Sequence, residues 1–195
     1  MAGVLAASVI NIQPANAADS IRVRGTIASV SDTTLVVKTR EGADQSIMLK
    51  PDWKVSGVTK ASIDDINTGD YVGIASLPKA QGGDGALEVL IFPAAMKGAG
   101  EGSHAWDLKP NSSMTNATVA DAVKSVEGRT VTVKFQGQEK KIDIPAATPI
   151  VTFAEATKAD LKPGATVFVP SEKAADGTIS TARIVVGTNG VVPPM

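Results

Sequence analysis

The chain contains no cysteine, which excludes disulfide bonds, thiol catalysis and cysteine-based zinc or iron–sulfur sites. Aromatic residues are scarce, with two tryptophans, one tyrosine and four phenylalanines, and the 20 acidic and 19 basic side chains nearly balance. Proteins that bind single-stranded nucleic acid stack bases on aromatic rings within a basic groove. We therefore expect no nucleic-acid partner.

No long hydrophobic run is present either. The apolar stretch Met1 to Ile10 is shorter than the about 20 residues of a transmembrane helix, and nothing later comes closer. It leads to Ala15-Asn16-Ala17, the small-x-small pattern that signal peptidase cleaves. We predict that residues 1–17 are a signal peptide, or the end of a truncated leader because no basic residue precedes Arg22. The mature protein would then be periplasmic or secreted, without a membrane span. A disordered or docked N-terminal arm is the alternative.

Glycine and β-branched residues are abundant instead. The 18 glycines and 11 prolines are scattered among stretches of Val, Ile and Thr, a composition typical of short strands joined by tight turns. From Arg22 onward, alternating apolar residues are interrupted by turns at Ser31–Thr34 and Arg40–Asp44, as in successive β-hairpins. The sequence predicts an all-β fold.

An internal repeat is the strongest signal in the chain. Asp65-Ile-Asn-Thr-Gly-Asp-Tyr-Val72 recurs 95 positions later as Asp160-Leu-Lys-Pro-Gly-Ala-Thr-Val167. Pro51 and Pro145 end matching strands shortly before each copy. Because Asp70 is replaced by Ala165 while the aspartate, aliphatic and glycine positions persist, the repeat indicates a structural turn and not an acidic site.

Other landmarks extend the repeat over most of the chain. Val126 and Lys134 lie 96 positions after Val30 and Lys38. We therefore predict, after the leader, a first unit, a linker, a second unit and a tail: residues 20–94, 95–115, 116–188 and 189–195.

Each unit contains five short strands, with one helical turn between the third and the fourth. This combination, with glycines where strands bend, describes a small closed or nearly closed barrel of the OB type. We predict two tandem small OB-like β-barrels, one per unit, with the halves of a β-sandwich as the alternative.

A family resemblance depends on the same positions. The pattern is Gly-x-Ile-x-x-Val, Asp-Leu-x-x-Gly-x-x-Val and Asp-Gly-x-x-x-Ala-x-x-Ile, and the matching residues here are Gly25, Ile27, Val30, Asp65, Ile66, Gly69, Val72, Val126, Asp160, Leu161, Gly164, Val167, Asp176, Gly177, Ala182 and Ile184. This resembles the bacterial exported domain family of unknown function called DUF5666. Ala122 stands near the place of the opening glycine in the second unit, and Val89 stands where alanine is usual. The resemblance implies an exported β-barrel module without an established chemistry.

The linker holds the only histidine, His104, together with Trp106, Met96 and Met114. Imidazole and thioether groups suit copper(I), so one hypothesis is a soft-metal site of His104, Met96 and Met114 with Trp106 adjacent. The alternative is that Trp106 and Leu108 pack between the barrels, because isolated aromatic and methionine side chains more often pack than ligate.

No pattern of catalytic residues is visible. Gly98–Gly102 lacks the spacing of a dinucleotide-binding loop, and the serines near His104 lack the GxSxG elbow of a hydrolase. We expect a non-enzymatic exported envelope protein with a binding or structural role and no cofactor. The alternatives are a periplasmic copper-binding protein and an accessory subunit with an envelope protein partner.

Overall fold

The computed structural model describes residues 18–124 and 129–193. The predicted signal peptide at residues 1–17 lies outside these ranges, and so does Val126. Within them the chain forms twelve β-strands and three short 3-10 turns, which confirms the all-β prediction. The strands are β1 (Asp19–Val30), β2 (Thr34–Thr39), β3 (Asp44–Lys60), β4 (Tyr71–Pro78), β5 (Asp84–Ile91), β6 (Gly102–Trp106), β7 (Ser112–Lys124), β8 (Arg129–Phe135), β9 (Gln138–Asp143), β10 (Ile150–Ala154), β11 (Thr166–Lys173) and β12 (Ile179–Gly187). The 3-10 turns are Ile63–Asp65, Ala94–Met96 and Lys158–Asp160.

Five strands close a ring that we call barrel A. Its order is β1, β2, β3, β12, β11 and back to β1, and the β3–β12 pair is the parallel one. This is the Greek-key order of an OB-type barrel. Its core contains Val23, Ile27, Leu35, Val169 and Ile184 among its buried side chains.

A second ring of pairings, which we call barrel B, runs β7, β8, β9, β5, β4 and back to β7. Its closure is short, because β5 and β9 pair only through Asp84 with Ile142 and Gly85 with Asp143. Side chains reinforce this junction: Lys140 of β9 is ion-paired with Asp84 at 2.5 Å, and Lys79 is ion-paired with Asp143.

The predicted tandem arrangement of one barrel per unit is not confirmed, because the units exchange their last two strands. β4 and β5 belong to the first unit but pair within barrel B, whereas β11 and β12 of the second unit pair within barrel A. The physical reason is the length of β3, a 17-residue strand whose last residues, Gly57 to Lys60, pair with β10, while Gly57 and Val58 also still pair with β12 of barrel A. β10 runs antiparallel to β3, with Val58 opposite Phe153, and it also pairs with β5 of barrel B. The chain that leaves β3 therefore continues into barrel B.

The repeated turn directly follows one of the paired strands β3 and β10 in each unit. The backbone amide of Ser62 donates to the Asp65 carboxylate at 2.7 Å, and that of Thr157 donates to Asp160 at the same distance. Each of these bonds is one half of a capping box, in which the carboxylate of the third residue accepts from the backbone amide of the N-cap residue. Each turn then buries an aliphatic anchor, Ile66 in the core of barrel B and Leu161 in that of barrel A, so the anchor travels with the exchanged strands.

The strand register corrects one correspondence between the units. Gly25 pairs with Val167, and the equivalent partner of Val72 is Ala117. Ala117, and not Ala122, therefore takes the place of the opening glycine. The assignment to Ala122 assumed one constant offset between the two units. It failed because more residues separate β7 from β8 than separate β1 from β2.

Candidate functional site

The predicted linker is largely a hairpin. β6 and the start of β7 pair from Gly102 with Asn116 to Trp106 with Ser112, and His104 lies directly opposite Met114. The register therefore places two of the three predicted metal ligands directly opposite each other on neighbouring strands. His104 is exposed, and its imidazole lies against Gly102.

The two methionines lie in different parts of the structure. Met114 is only 6% exposed, and its Sδ packs close to Gly73. Met96 ends a 3-10 turn and lines a shallow depression together with Phe153. Among the described residues, no three His, Asp or Glu side chains form a group that could hold a metal ion. The copper site thus stays a prediction, with His104 and Met114 as its adjacent members.

Trp106 joins the two barrels. The guanidinium carbon of Arg22, on β1 of barrel A, lies 4.0 Å from the centre of the Trp106 ring. Next to it, Arg24 donates to the Asp107 carboxylate at 2.8 Å. We call these four residues the clasp. Because β6 pairs with β7 of barrel B, the clasp connects one barrel to the other, in line with the packing alternative for Trp106.

The clasp is sensitive to acid. Burial would raise the pKa of Asp107, but the hydrogen bond from Arg24 and the charges of Arg24 and Arg22 outweigh it and hold this pKa below its ordinary value. A carboxyl group with a lowered folded pKa stabilises the fold above its unfolded pKa, and this contribution is lost as the pH falls through the folded pKa.

A double-mutant cycle of Arg24→Ala and Asp107→Ala is expected to give a coupling free energy of about 1 kcal/mol at neutral pH, since Asp107 is half exposed and solvent screens the pair. The same cycle in acid is expected to give none. The control is Lys134 with Glu139, a pair 3.4 Å apart whose side chains are both more than half exposed, for which we expect coupling near zero. Equal coupling in the two cycles, measured by denaturant unfolding, would contradict the clasp.

A cleft of about 900 Å³ opens where the two barrels meet. Barrel B, β10 and the chain after β12 all contribute to its walls, and Arg40 reaches it from the β2–β3 turn of barrel A. Much of the lining is apolar, and it includes Ile63, Leu87, Leu108, Ile150, Val192 and Pro193.

The tail forms one wall of this cleft because it is bonded to barrel A. The backbone amide of Thr188 donates to the carbonyl of Val58 at 2.9 Å, and the hydroxyl of Thr166 donates to the carbonyl of Val191 at 2.9 Å. Gly187 makes this approach possible, since a Cβ there would come within 1.6 Å of the Val191 oxygen. The first part of the predicted tail is therefore docked.

Positive charge predominates in the cleft. Arg40, Lys60, Lys109 and Arg129 line it, and Glu88 is the one acidic residue among the described lining residues. The Nε of Arg129 donates to the carbonyl of Ile144 at 3.1 Å. Its Nη2 is buried and has no hydrogen-bond partner among the described residues. A nitrogen that is closed off from solvent is also closed off from a molecule in the open cleft, so Arg129 contributes its positive charge, and not this nitrogen, to the lining.

Sequence reasoning did not find the cleft. Its lining comes from segments as distant as Arg40, Leu87, Arg129 and Pro193, and only the exchange of strands brings them together. The sole signal in the sequence was Leu108, which we expected between the barrels and which lies in the cleft wall.

Comparison of the chain with protein-family models, with curated proteins and with solved structures gives no significant match. Of the described residues, none belongs to a helix with the length and hydropathy needed to cross a membrane.

Proposed function

We propose that this is a non-enzymatic binding protein of the cell envelope, which holds a small ligand in the cleft between barrels A and B. The observation that carries the proposal is the cleft itself. Ligand sites typically measure about 300 to 1,000 Å³ and combine an apolar lining with a few convergent polar groups. The cleft has this size and this apolar lining, and the charged groups of Arg40, Lys60, Lys109 and Arg129 are among its polar groups.

The architecture supports a binding role. The walls come from two barrels that each contain strands of both units and that are joined by the clasp and by the pairing of β3 with β10. Preformed, rigid walls lower the entropic cost of binding a ligand. The signal-peptide pattern at residues 1–17 and the resemblance to the DUF5666 family support the exported part of the proposal.

Native mass spectrometry of the protein purified from its natural host tests the binding role. We expect a small molecule that remains bound under native conditions and is released by denaturation. Ala147→Trp, which fills the cleft, is expected to lose it, whereas Ala175→Trp in the exposed turn between β11 and β12 is expected to retain it. An empty wild-type protein, or a turnover activity that Ala147→Trp abolishes, would contradict the proposal.

Copper binding is the second candidate, favoured by the cross-strand pair of His104 and Met114. Met114 is only 6% exposed and Met96 ends a separate turn, so calorimetric titration with copper(I) decides this candidate: identical flat traces for wild type and His104→Ala would remove it. Stoichiometric binding by wild type that is lost in His104→Ala would instead establish a metal site.

An envelope protein partner is a further possibility. Among the described strands β6 pairs with β7 alone, so its other edge has open backbone groups. A strand from a partner subunit could add at such an edge.

A further inference from the structure

We propose that the ligand of the cleft is a single-chain anionic amphiphile, with a carboxylate head that binds Arg129 and an unbranched hydrocarbon tail that lies along the apolar wall. This inference depends on the proposed binding function and specifies the chemical class of its ligand.

The head group is identified by charge. The described residues that line the cleft include four cations and one carboxylate, and none of those four cations takes part in an ion pair within the described part of the chain. A guanidinium group presents a planar set of donors that matches a carboxylate, and such charge-assisted bonds are among the stronger hydrogen bonds in proteins. Arg129 is held in position for this role, because its Nε donates to the carbonyl of Ile144 at 3.1 Å while the residue lines the cleft.

The hydrocarbon tail of the ligand is inferred from the apolar residues of the lining. Ile63, Leu87, Leu108 and Ile150 offer aliphatic surface without aromatic rings, and Val192, which is 58% exposed, lies at the same site. A flat aromatic ligand would find no ring here on which to stack, whereas an alkyl chain gains from each methylene group it buries. The exposed apolar surface of Val192 would be covered by such a chain.

Glu88 bears on whether the head group of the ligand is negatively or positively charged. Its side chain is 6% exposed and lines the same cleft, so a cationic amphiphile would find one possible partner. Against four positive groups, however, a cationic head would be repelled more than attracted. The arrangement therefore favours an anion over a cation of equal chain length.

Three probes that share a twelve-carbon chain test the inference by calorimetry below their micelle concentrations: dodecanoate, dodecanol and dodecyltrimethylammonium. We expect dodecanoate to bind about tenfold tighter than dodecanol, because a charge-assisted hydrogen bond contributes that much or more, and the cation to bind weakest. Shortening the carboxylate by one methylene group is expected to weaken binding about three- to fourfold. Equal binding of the three probes, or preference for the cation, would overturn the inference.

The Arg129→Gln variant tests the role of the guanidinium. It is expected to lose the preference for dodecanoate while its affinity for dodecanol stays unchanged. The control, Lys162→Gln, removes a cation that does not line the cleft and is expected to behave as wild type. If Arg129→Gln fails to fold by circular dichroism, the double variant Lys60→Gln and Lys109→Gln on the cleft rim takes its place, with an expected loss of about threefold for dodecanoate alone. Unchanged selectivity in the folded variant contradicts the inference.

The two proposals fail separately. If no probe binds but native mass spectrometry finds another molecule displaced by Ala147→Trp, the anionic amphiphile is wrong and the binding function stands. If no probe binds and the natural protein is empty, both are wrong.

Discussion

Residues 18–98 and 99–193, produced as separate polypeptides, are not expected to fold into monomeric barrels, whereas their mixture is expected to recover the fold of the intact chain. The cut falls in the exposed connection after the Ala94–Met96 turn and interrupts no strand. The first fragment contains β1 to β5 and the second β6 to β12, so each holds only part of each barrel.

The expected effect is large because the cut divides both cores. In barrel A, Val23 and Leu35 of the first fragment pack with Val169 and Ile184 of the second. A fragment alone would expose these surfaces, and burial of one such side chain contributes about 1.5 to 3 kcal/mol. Domains with a total stability of about 5 to 15 kcal/mol cannot lose half a core and remain folded.

Circular dichroism, light scattering after gel filtration and thermal unfolding measure this outcome. The control is the full chain cleaved at the same bond without separation of the halves, which is expected to unfold near the temperature of the uncut protein. A fragment that is monomeric and unfolds cooperatively would contradict the prediction, because it would mean that a unit can close on its own strands.

Gly25→Ala is expected to destabilise the protein by at least about 3 kcal/mol, the upper part of the range for overpacked sites. A Cβ at position 25 would come within 2.0 Å of the carbonyl oxygen of Lys38 and within 2.8 Å of its carbonyl carbon. The obstacle is backbone of the neighbouring strand β2, held by the β1–β2 ladder, so it cannot rotate away as a side chain would.

The control is Gly42→Ala. Gly42 lies in the β2–β3 turn with φ of +88° and has no neighbour within 4 Å of a new Cβ, so it tests conformational strain without a clash. That strain costs about 1 to 2 kcal/mol. Denaturant unfolding of the two variants checks the difference, and a smaller loss for Gly25→Ala than for Gly42→Ala would show that β1 and β2 can move apart at this point.

The sequence was sufficient for the all-β class and the repeated turn. It was wrong about Pro51, which was predicted to end the third strand but lies within β3, which continues to Lys60. It was insufficient for the partners of the strands. Alternation tells which side chains of a strand face a core, and the pair of Asp65 with Asp160 was recognisable because a capping box needs a fixed local spacing. Two units of similar sequence pattern present similar strand edges, so no local pattern distinguishes β4 joining its own unit from β4 joining the other. That choice is tied to the continuation of β3 to Lys60 and its pairing with β10.

The candidate site was less predictable for a related reason. His104 and Met114 could be paired from the sequence because they are near each other along the chain. Arg129 and Leu87 have no sequence feature that connects them, and their proximity depends on which barrel receives β5.

Barrel A combines the beginning and the end of the described chain, and this determines when it can form. Strands β1 to β3 leave the ribosome first, yet they close only when β11 and β12 are made, and Gly187 is the last residue of β12. Folding dominated by pairs so distant in sequence is slow, because the entropy of closing a long loop is lost before the contacts form. Barrel A therefore cannot close before β12 has been synthesised, and the strand exchange delays its closure until both units have been made.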